Sequence, residues 1–206
     1  MSHIPPGFGV VIIDMQDRFV DNLLDSEATR IISHQLEVIE TCAERDIPVV
    51  TVEYRGYGDT NNRLQKALGN VRQTETFIKS TDDAFGSQIR AGIVPRFLNR
   101  LLWIYLPEPQ PTQNSFRRCL EKFDIRSIFF MGINANSCVW ETAVNARGNG
   151  FEAYTHADVI AASKETPNRY LADYKRWGFP LFSFEDALAL HCDRHYAQVI
   201  PRFVTE

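Results

Sequence analysis

Residues 128–150 read Ile-Phe-Phe-Met-Gly-Ile-Asn-Ala-Asn-Ser-Cys-Val-Trp-Glu-Thr-Ala-Val-Asn-Ala-Arg-Gly-Asn-Gly, and this stretch decides the fold. It begins with an apolar run typical of a buried strand, breaks at Gly132, and enters a helix at about Cys138. The helix ends at Gly148, where glycines indicate a C-cap. A strand, a tight turn and a helix in succession are the repeating unit of a parallel α/β sheet. Cys138 therefore falls beyond the carboxyl end of a strand, where open α/β sheets bind ligands.

The position of Cys138 at the start of a helix predicts a reactive thiol. A helix N-terminus carries partial positive charge and free N–H groups, so it lowers the pKa of a thiol and can hold an oxyanion. The alternative is a cysteine that serves as a small buried hydrophobe. The neighbouring sequence decides between these readings only if it supplies further catalytic groups.

Strands alternate with helices along the rest of the chain. We predict a single α/β domain over residues 1–206, with a doubly wound, mainly parallel sheet of about six strands and helices on both faces. A helix is predicted from Ser26 to Arg45 and a last one from Phe184 to Leu190. The predicted strands are 8–13, 48–54, 76–79, 128–131, 152–156 and a short last strand at Leu181 and Phe182.

The composition excludes several classes of protein. The 206 residues are 44% apolar and 23% charged, with a formal net charge of -4, which is ordinary for a soluble globular protein. Nothing indicates a nucleic-acid or membrane partner, and the N-terminus does not resemble a signal peptide. The four cysteines show no C-x-x-C spacing, so we expect free thiols and a cytoplasmic location.

Three functional groups follow predicted strands: Asp14, Lys79 and Cys138. The carboxyl ends of parallel strands share one edge, so these side chains can converge. An ammonium group stabilises a thiolate, and a carboxylate orients the ammonium and relays a proton. Backbone N–H groups in the turn before Cys138 would form an oxyanion hole. Taken singly, Asp14 could be a turn former and Lys79 a solvated lysine.

Three motifs in the chain match those of a known family. The chain resembles the isochorismatase-like cysteine hydrolases, which include nicotinamidases, N-carbamoylsarcosine amidases, ureido- and biuret-type amidohydrolases and isochorismatases. The resemblance runs from residue 8 to about residue 160. The matching motifs are Val-Ile-Ile-Asp-Met-Gln-Asp-Arg-Phe at 11–19, Phe-Ile-Lys-Ser-Thr-Asp-Asp-Ala-Phe at 77–85 and Gly-Ile-Asn-Ala-Asn-Ser-Cys-Val at 132–139.

The resemblance implies a role for each site residue. Asp14 would be the general base, Lys79 the cation that stabilises the thiolate, and Cys138 the nucleophile. The family's cis peptide would join Ile133 to Asn134, and the N–H groups of Asn134 and Cys138 would form the oxyanion hole. The implied protein is a homo-oligomer without a cofactor that hydrolyses a C–N bond of a small amide, ureido or carbamoyl compound through a thioester. Two alternatives stay open: isochorismatase-type vinyl ether hydrolysis, and a non-catalytic or redox-responsive binding protein.

The sequence departs from the family pattern at two places. Nicotinamidases carry an Asp-x-His metal site after the second strand, but here the chain reads Glu53-Tyr54-Arg55, so we expect no metal. The spacing between Lys79 and Cys138 is long for the family, and we place the surplus at 95–114, as an extra packed element, a subunit contact or a lid. Residues beside the motifs that could line the substrate pocket, or simply pack in the core, are Phe19, Tyr54 and Trp140.

Overall fold

A computed structural model describes residues 6–86, 116–165 and 169–199 of the chain. These residues form one sheet of five parallel strands in the order β3-β2-β1-β4-β5. The order reverses between β1 and β4, which is the topological switch point of a doubly wound fold. The strands are β1 (Phe8–Ile13), β2 (Val49–Tyr54), β3 (Thr74–Lys79), β4 (Ser127–Ile133) and β5 (Glu152–Ala161).

Helices lie on both faces of this sheet. Helix α2 places its apolar residues at helical spacing, so that one face is buried and packs on β5 and α3. Helices α5 and α7 both pack on β4 and β5. The described helices are α1 (Asp17–Val20), α2 (Asp25–Arg45), α3 (Asn62–Leu68), α4 (Phe116–Lys122), α5 (Cys138–Gly148), α6 (Arg169–Arg176) and α7 (Phe184–Val199).

Burial follows the position of each strand in the sheet. Every residue of β1 and β4 is buried, because these central strands are covered on both faces. Strand β3 lies at one edge, and most of its residues are exposed or half-buried. The two strands most protected from water therefore end at the switch point, where Asp14 follows β1 and the turn to Cys138 follows β4.

Gly132 sets the approach of β4 to β1 beside this point. Its φ is +131°, and a Cβ atom added there would lie 2.0 Å from the carbonyl oxygen of Ile13. Only glycine fits at that distance, since any side chain would push the two strands apart. The glycine thus holds the residues that follow β1 and β4 close together.

The structure confirms the doubly wound parallel sheet. Leu181, predicted in a short last strand, pairs with Thr155 through a single isolated bridge. Helix α2 begins at Asp25, one residue before the predicted start at Ser26, and Leu24 occupies the cap position without a side-chain hydrogen bond. The proposed insertion or lid at 95–114 lies outside the described residues. Of the helices the structure describes, none is long and apolar enough to cross a membrane.

Candidate active site

A buried ion pair lies at the carboxyl edge of the sheet. The Nζ atom of Lys79, the last residue of β3, is 2.7 Å from Oδ2 of Asp14, the residue after β1. Both side chains are 1% exposed, so neither charge is solvated by bulk water. A carboxylate and an ammonium so deeply buried need each other, because either one alone would carry a large desolvation penalty.

Asp14 has an unusual backbone conformation, and its carboxylate has few interaction partners. Its backbone adopts φ +52°, a left-handed conformation that costs free energy for a residue other than glycine. Among the described residues, the carboxylate interacts only with the Lys79 ammonium and the Cys138 thiol, and it accepts no hydrogen bond from the main chain. Burial raises the pKa of Asp14, and Lys79 offsets this only in part. The group can therefore accept a proton more readily than an ordinary carboxylate.

Lys79 is fixed from several sides. Its Nζ donates to the main-chain oxygen of Asp82 at 2.9 Å and stands 5.3 Å from the ring centre of Tyr54. Burial opposes the charged form, but Asp14 and Cys138 outweigh it, so the pKa of Lys79 is raised. The ammonium thus stays charged at neutral pH and supplies a fixed positive charge to the site.

Cys138 is the first residue of α5 and is 4% exposed. The expectation of a lowered thiol pKa was wrong for the free protein. Burial, followed by the negative charge of Asp14, raises the pKa of Cys138 to about 12, although Lys79 works in the opposite direction. The sulfur therefore carries its proton at rest, and a base must remove that proton as the sulfur attacks.

The turn before Cys138 has an unusual main-chain conformation. The peptide bond between Ile133 and Asn134 is cis, at the position that the family resemblance implies. Within the described residues, no main-chain carbonyl accepts a hydrogen bond from the N–H of Asn134 or of Cys138. The role of these two N–H groups as an oxyanion hole stays a prediction.

Asp82 is a site residue to which the sequence reasoning gave no role. Its Oδ1 accepts a hydrogen bond from the Cys138 thiol at 3.8 Å, and its Oδ2 accepts one from the hydroxyl of Ser137 at 2.9 Å. Ser137 occupies the cap position of α5 but makes no capping hydrogen bond. The signal for Asp82 was its place in the motif at 77–85, three residues after Lys79.

Two of the predicted pocket residues share an aromatic cluster with Tyr57. The rings of Phe19 and Tyr57 stack with centres 4.7 Å apart, and Tyr54 meets Tyr57 edge-on at 5.4 Å. Phe19 also lines a cavity of about 260 Å³ that reaches Asn134 of the candidate oxyanion hole. The structure therefore places Phe19 and Tyr54 beside the site, since Tyr54 also contacts Lys79.

Trp140 lies elsewhere. It packs against Tyr174 and Phe179, with ring centres 4.7 and 5.9 Å apart. It lines a separate cavity of about 170 Å³ that includes neither Asp14, Lys79 nor Cys138. The predicted substrate contact of Trp140 therefore has no support from its position, because α5 turns its side chain toward α6.

Glu53, the second-last residue of β2, makes structural hydrogen bonds. The carboxylate of Glu53 accepts hydrogen bonds from the main-chain N–H and the hydroxyl of Thr60, at 2.7 and 2.8 Å. Among the described residues, no cluster of histidine, cysteine and carboxylate side chains could hold a metal ion. All four cysteines are free.

The fold and the site together define a class of α/β protein that carries an aspartate, a lysine and a cysteine at the switch point of a parallel sheet. The sequence profile of the isochorismatase domain matches residues 9–176. The chain therefore belongs to the isochorismatase family of hydrolases. No curated protein matches the sequence of this chain.

Solved structures share the fold at low sequence identity. The MAR1 ribonuclease of Caenorhabditis elegans is 17% identical, with 93% of this chain and 84% of that one covered and a TM-score of 0.61. The nicotinamidase of Staphylococcus aureus is 13% identical, with 87% and 99% covered and a TM-score of 0.63. The YcaC protein of Escherichia coli, an octameric hydrolase of unknown specificity, is 12% identical, with 97% and 94% covered and a TM-score of 0.63. Such distant similarity establishes the fold alone.

Proposed function

We propose that this protein hydrolyses a C–N bond of a small amide, ureido or carbamoyl compound, with Cys138 as nucleophile. One observation carries the proposal: the buried Asp14–Lys79 ion pair and the Cys138 thiol meet at the switch point of the sheet. A buried carboxylate, a fixed ammonium and a protonated thiol are the groups that acyl transfer through sulfur requires.

The first half of the reaction forms a thioester. The sulfur of Cys138 attacks the substrate carbonyl carbon while the carboxylate of Asp14 takes the thiol proton. The C–S bond forms, and the carbonyl oxygen becomes an oxyanion that the N–H groups of Asn134 and Cys138 bind. Asp14 then returns the proton to the substrate nitrogen, the C–N bond breaks, and ammonia or an amine leaves.

The second half releases the acid. Water attacks the thioester carbonyl while Asp14 accepts a proton from it, and the C–S bond breaks. The departing thiolate then recovers the proton from Asp14. The raised pKa values of Asp14 and Cys138 support this exchange, because each group holds the proton more firmly than it would in water.

Lys79 keeps one positive charge beside the reacting atoms throughout. It holds the Asp14 carboxylate in place and stabilises the thiolate as it forms. The S. aureus nicotinamidase with this fold acts on an amide, which supports the reaction class. The C. elegans ribonuclease with the same fold shows that the fold does not fix the substrate. A homo-oligomer is also part of the proposal, supported by the octameric E. coli protein.

Ammonia release from a panel of primary amides, ureides and carbamoyl compounds tests the proposal. We expect the protein to hydrolyse at least one of these classes. Turnover should fall by about 10³-fold or more in Cys138→Ala. It should be unchanged in Cys192→Ala, which is a matched control at a half-buried cysteine outside the site. Retained turnover in Cys138→Ala would sink the mechanism. Vinyl ether hydrolysis would instead survive alkylation of the thiol, and a binding protein would turn over no compound in the panel.

A further inference from the structure

Asp82 places a second carboxylate against the proposed nucleophile, and the mechanism above does not use it. Its Oδ1 lies 3.8 Å from the Cys138 sulfur, so the same carboxylate would lie next to any carbonyl compound bound to that sulfur. The side chain is exposed, unlike the 1%-exposed carboxylate of Asp14. A substrate group entering from solvent can therefore reach Asp82.

The orientation of Asp82 is built into the fold. Ser137 donates its hydroxyl to Oδ2 at 2.9 Å instead of capping α5. The main-chain oxygen of Asp82 accepts from Lys79 at 2.9 Å, which fixes the loop below the side chain. Tyr54 donates its hydroxyl to the main-chain oxygen of Ser80 at 3.0 Å and so packs against the same loop. The carboxylate is held with Oδ1 toward the sulfur.

The charge of Asp82 is not cancelled within the described part of the chain. Lys79 forms its ion pair with Asp14, and no described lysine, arginine or histidine forms one with the carboxylate of Asp82. The charged residues of the neighbouring cavity, Lys164 and Glu165, are of opposite sign and offset each other. With a neutral thiol, the groups around the sulfur therefore carry a net charge of about one negative unit.

We propose that Asp82 is a specificity-determining residue that selects substrates with a cationic group, such as an ammonium or a guanidinium, near the scissile carbonyl. A cation a few ångströms from a partly exposed carboxylate gains free energy, whereas a carboxylate substrate is repelled. As a statement about substrates, the inference rests on the proposed function. As a statement about charge beside Cys138, it can be tested without any turnover.

The first experiment measures modification of Cys138 by three methanethiosulfonate reagents, which carry a trimethylammonium group, a sulfonate group or an uncharged methyl group. Peptide mass spectrometry gives the rate at each cysteine. We expect Asp82→Asn, which preserves the side-chain shape, to lower the cationic-to-anionic rate ratio at Cys138 by about tenfold. The ratio at Cys192 should not change. The charge of Asp82 also raises the pKa of Cys138, so its removal should raise the rates of all three reagents by one common factor, which the uncharged methyl reagent measures.

Asp59→Asn is the matched control, since it removes the same charge from an exposed loop residue. The inference is overturned if Asp82→Asn leaves the ratio at Cys138 unchanged, if Asp59→Asn lowers it equally, or if the cationic reagent does not modify Cys138. A fall in the rate with the methyl reagent that matches the fall with the cationic reagent would overturn it too, because that result identifies Asp82 as a base.

The second experiment compares kcat/KM for β-alaninamide, butyramide and succinamate, which are cationic, neutral and anionic primary amides of similar length. We expect a preference for β-alaninamide that Asp82→Asn reduces by about tenfold. If the reagent ratio behaves as expected but no amide is hydrolysed, the charged subsite stands and the proposed function fails. If the amides are hydrolysed without regard to charge and the reagent ratio is flat, the proposed function stands and the role of Asp82 fails.

Discussion

The two ends of the sheet each carry a carboxylate paired with a cationic side chain, but the surroundings differ. The side chain of Glu152 at the amino end is 38% exposed, whereas that of Asp14 at the carboxyl end is 1% exposed. At the amino end, Ser127 and Tyr154 each donate a hydroxyl to Oε2 of Glu152 at 2.9 Å, and Arg194 pairs with the other carboxylate oxygen. At the carboxyl end, the buried carboxylate of Asp14 interacts, among the described residues, only with the Lys79 ammonium and the Cys138 thiol.

The difference separates a structural cluster from a candidate catalytic one. Hydrogen bonds from Tyr154, Ser127 and Arg194 overcome the effect of burial and lower the pKa of Glu152. Burial raises the pKa of Asp14 despite its ion pair. Buried polar groups in native proteins normally find several partners, so a strained carboxylate that interacts only with an ammonium and a thiol calls for a functional explanation. The amino end thus serves as an internal control for the carboxyl end.

Lys79→Met should give the largest effect, because it leaves the Asp14 carboxylate buried without a countercharge. We expect a loss of about 3–5 kcal/mol in the free energy of unfolding, as found when one partner of a buried pair is removed. The proposed amide hydrolysis should fall by about 10³-fold or more. Urea denaturation and steady-state kinetics measure the two effects.

A double variant controls for folding. Asp14→Asn combined with Lys79→Met removes both charges and should recover part of the lost stability without recovering activity. If the Lys79→Met variant were as stable as the unaltered protein, Lys79 would not be needed to balance the buried charge of Asp14.

Acid should remove activity before it removes structure. Asp14 must be ionised to act as a base, and its pKa is raised above the ordinary 3.8, so kcat/KM should fall about tenfold per pH unit below that raised value. Because the folded state favours the protonated form of Asp14, its protonation does not unfold the protein. Glu152 contributes stability that is present above 4.5 and lost as pH falls through its lowered pKa.

Kinetics and circular dichroism between pH 8 and pH 3 check this order. The expected result is an acid limb of activity that lies at higher pH than the loss of ellipticity. Coincident loss of both signals would show that the two ends of the sheet titrate together, contrary to the contrast between Asp14 and Glu152.

Arg194→Met should give the smallest effect. The side chain is 50% exposed, and exposed ion pairs contribute about 0–1 kcal/mol. The two hydroxyl donors still satisfy Glu152, so we expect a small loss of stability and amide turnover within about twofold of the unaltered protein. A loss of activity as large as that of Lys79→Met would mean that the amino end is not a passive control.

Much of the fold could be predicted because it depends on local pattern. The continuous apolar run at 8–13 matches β1 residue for residue, and the glycine-rich stop at Gly148 matches the end of α5. The number of strands was harder to predict, because Leu181 forms a single bridge to Thr155 and not a continuous strand. A single bridge depends on where the chain passes the sheet edge, which short-range sequence does not encode.

The candidate site also has features that the sequence predicts and features that depend on tertiary packing. The convergence of Asp14, Lys79 and Cys138 followed from parallel strands sharing an edge, and the structure brings these residues together. The pKa of Cys138 could not be predicted from its helix, because burial and the nearby Asp14 charge depend on tertiary packing. The contact of Asp82 with Cys138 joins positions 56 residues apart, and Trp140 faces away from the site despite its proximity in sequence.

Capture of the acyl-enzyme tests the central claim most directly. The protein would be mixed with an amide that it hydrolyses, quenched in acid during turnover, digested and examined by mass spectrometry. We predict a mass increase equal to the acyl group on the peptide containing Cys138, none on the peptides of Cys42, Cys119 and Cys192, and none anywhere in Cys138→Ala. Amide turnover with unmodified Cys138, continuing after its replacement by alanine, would contradict the account.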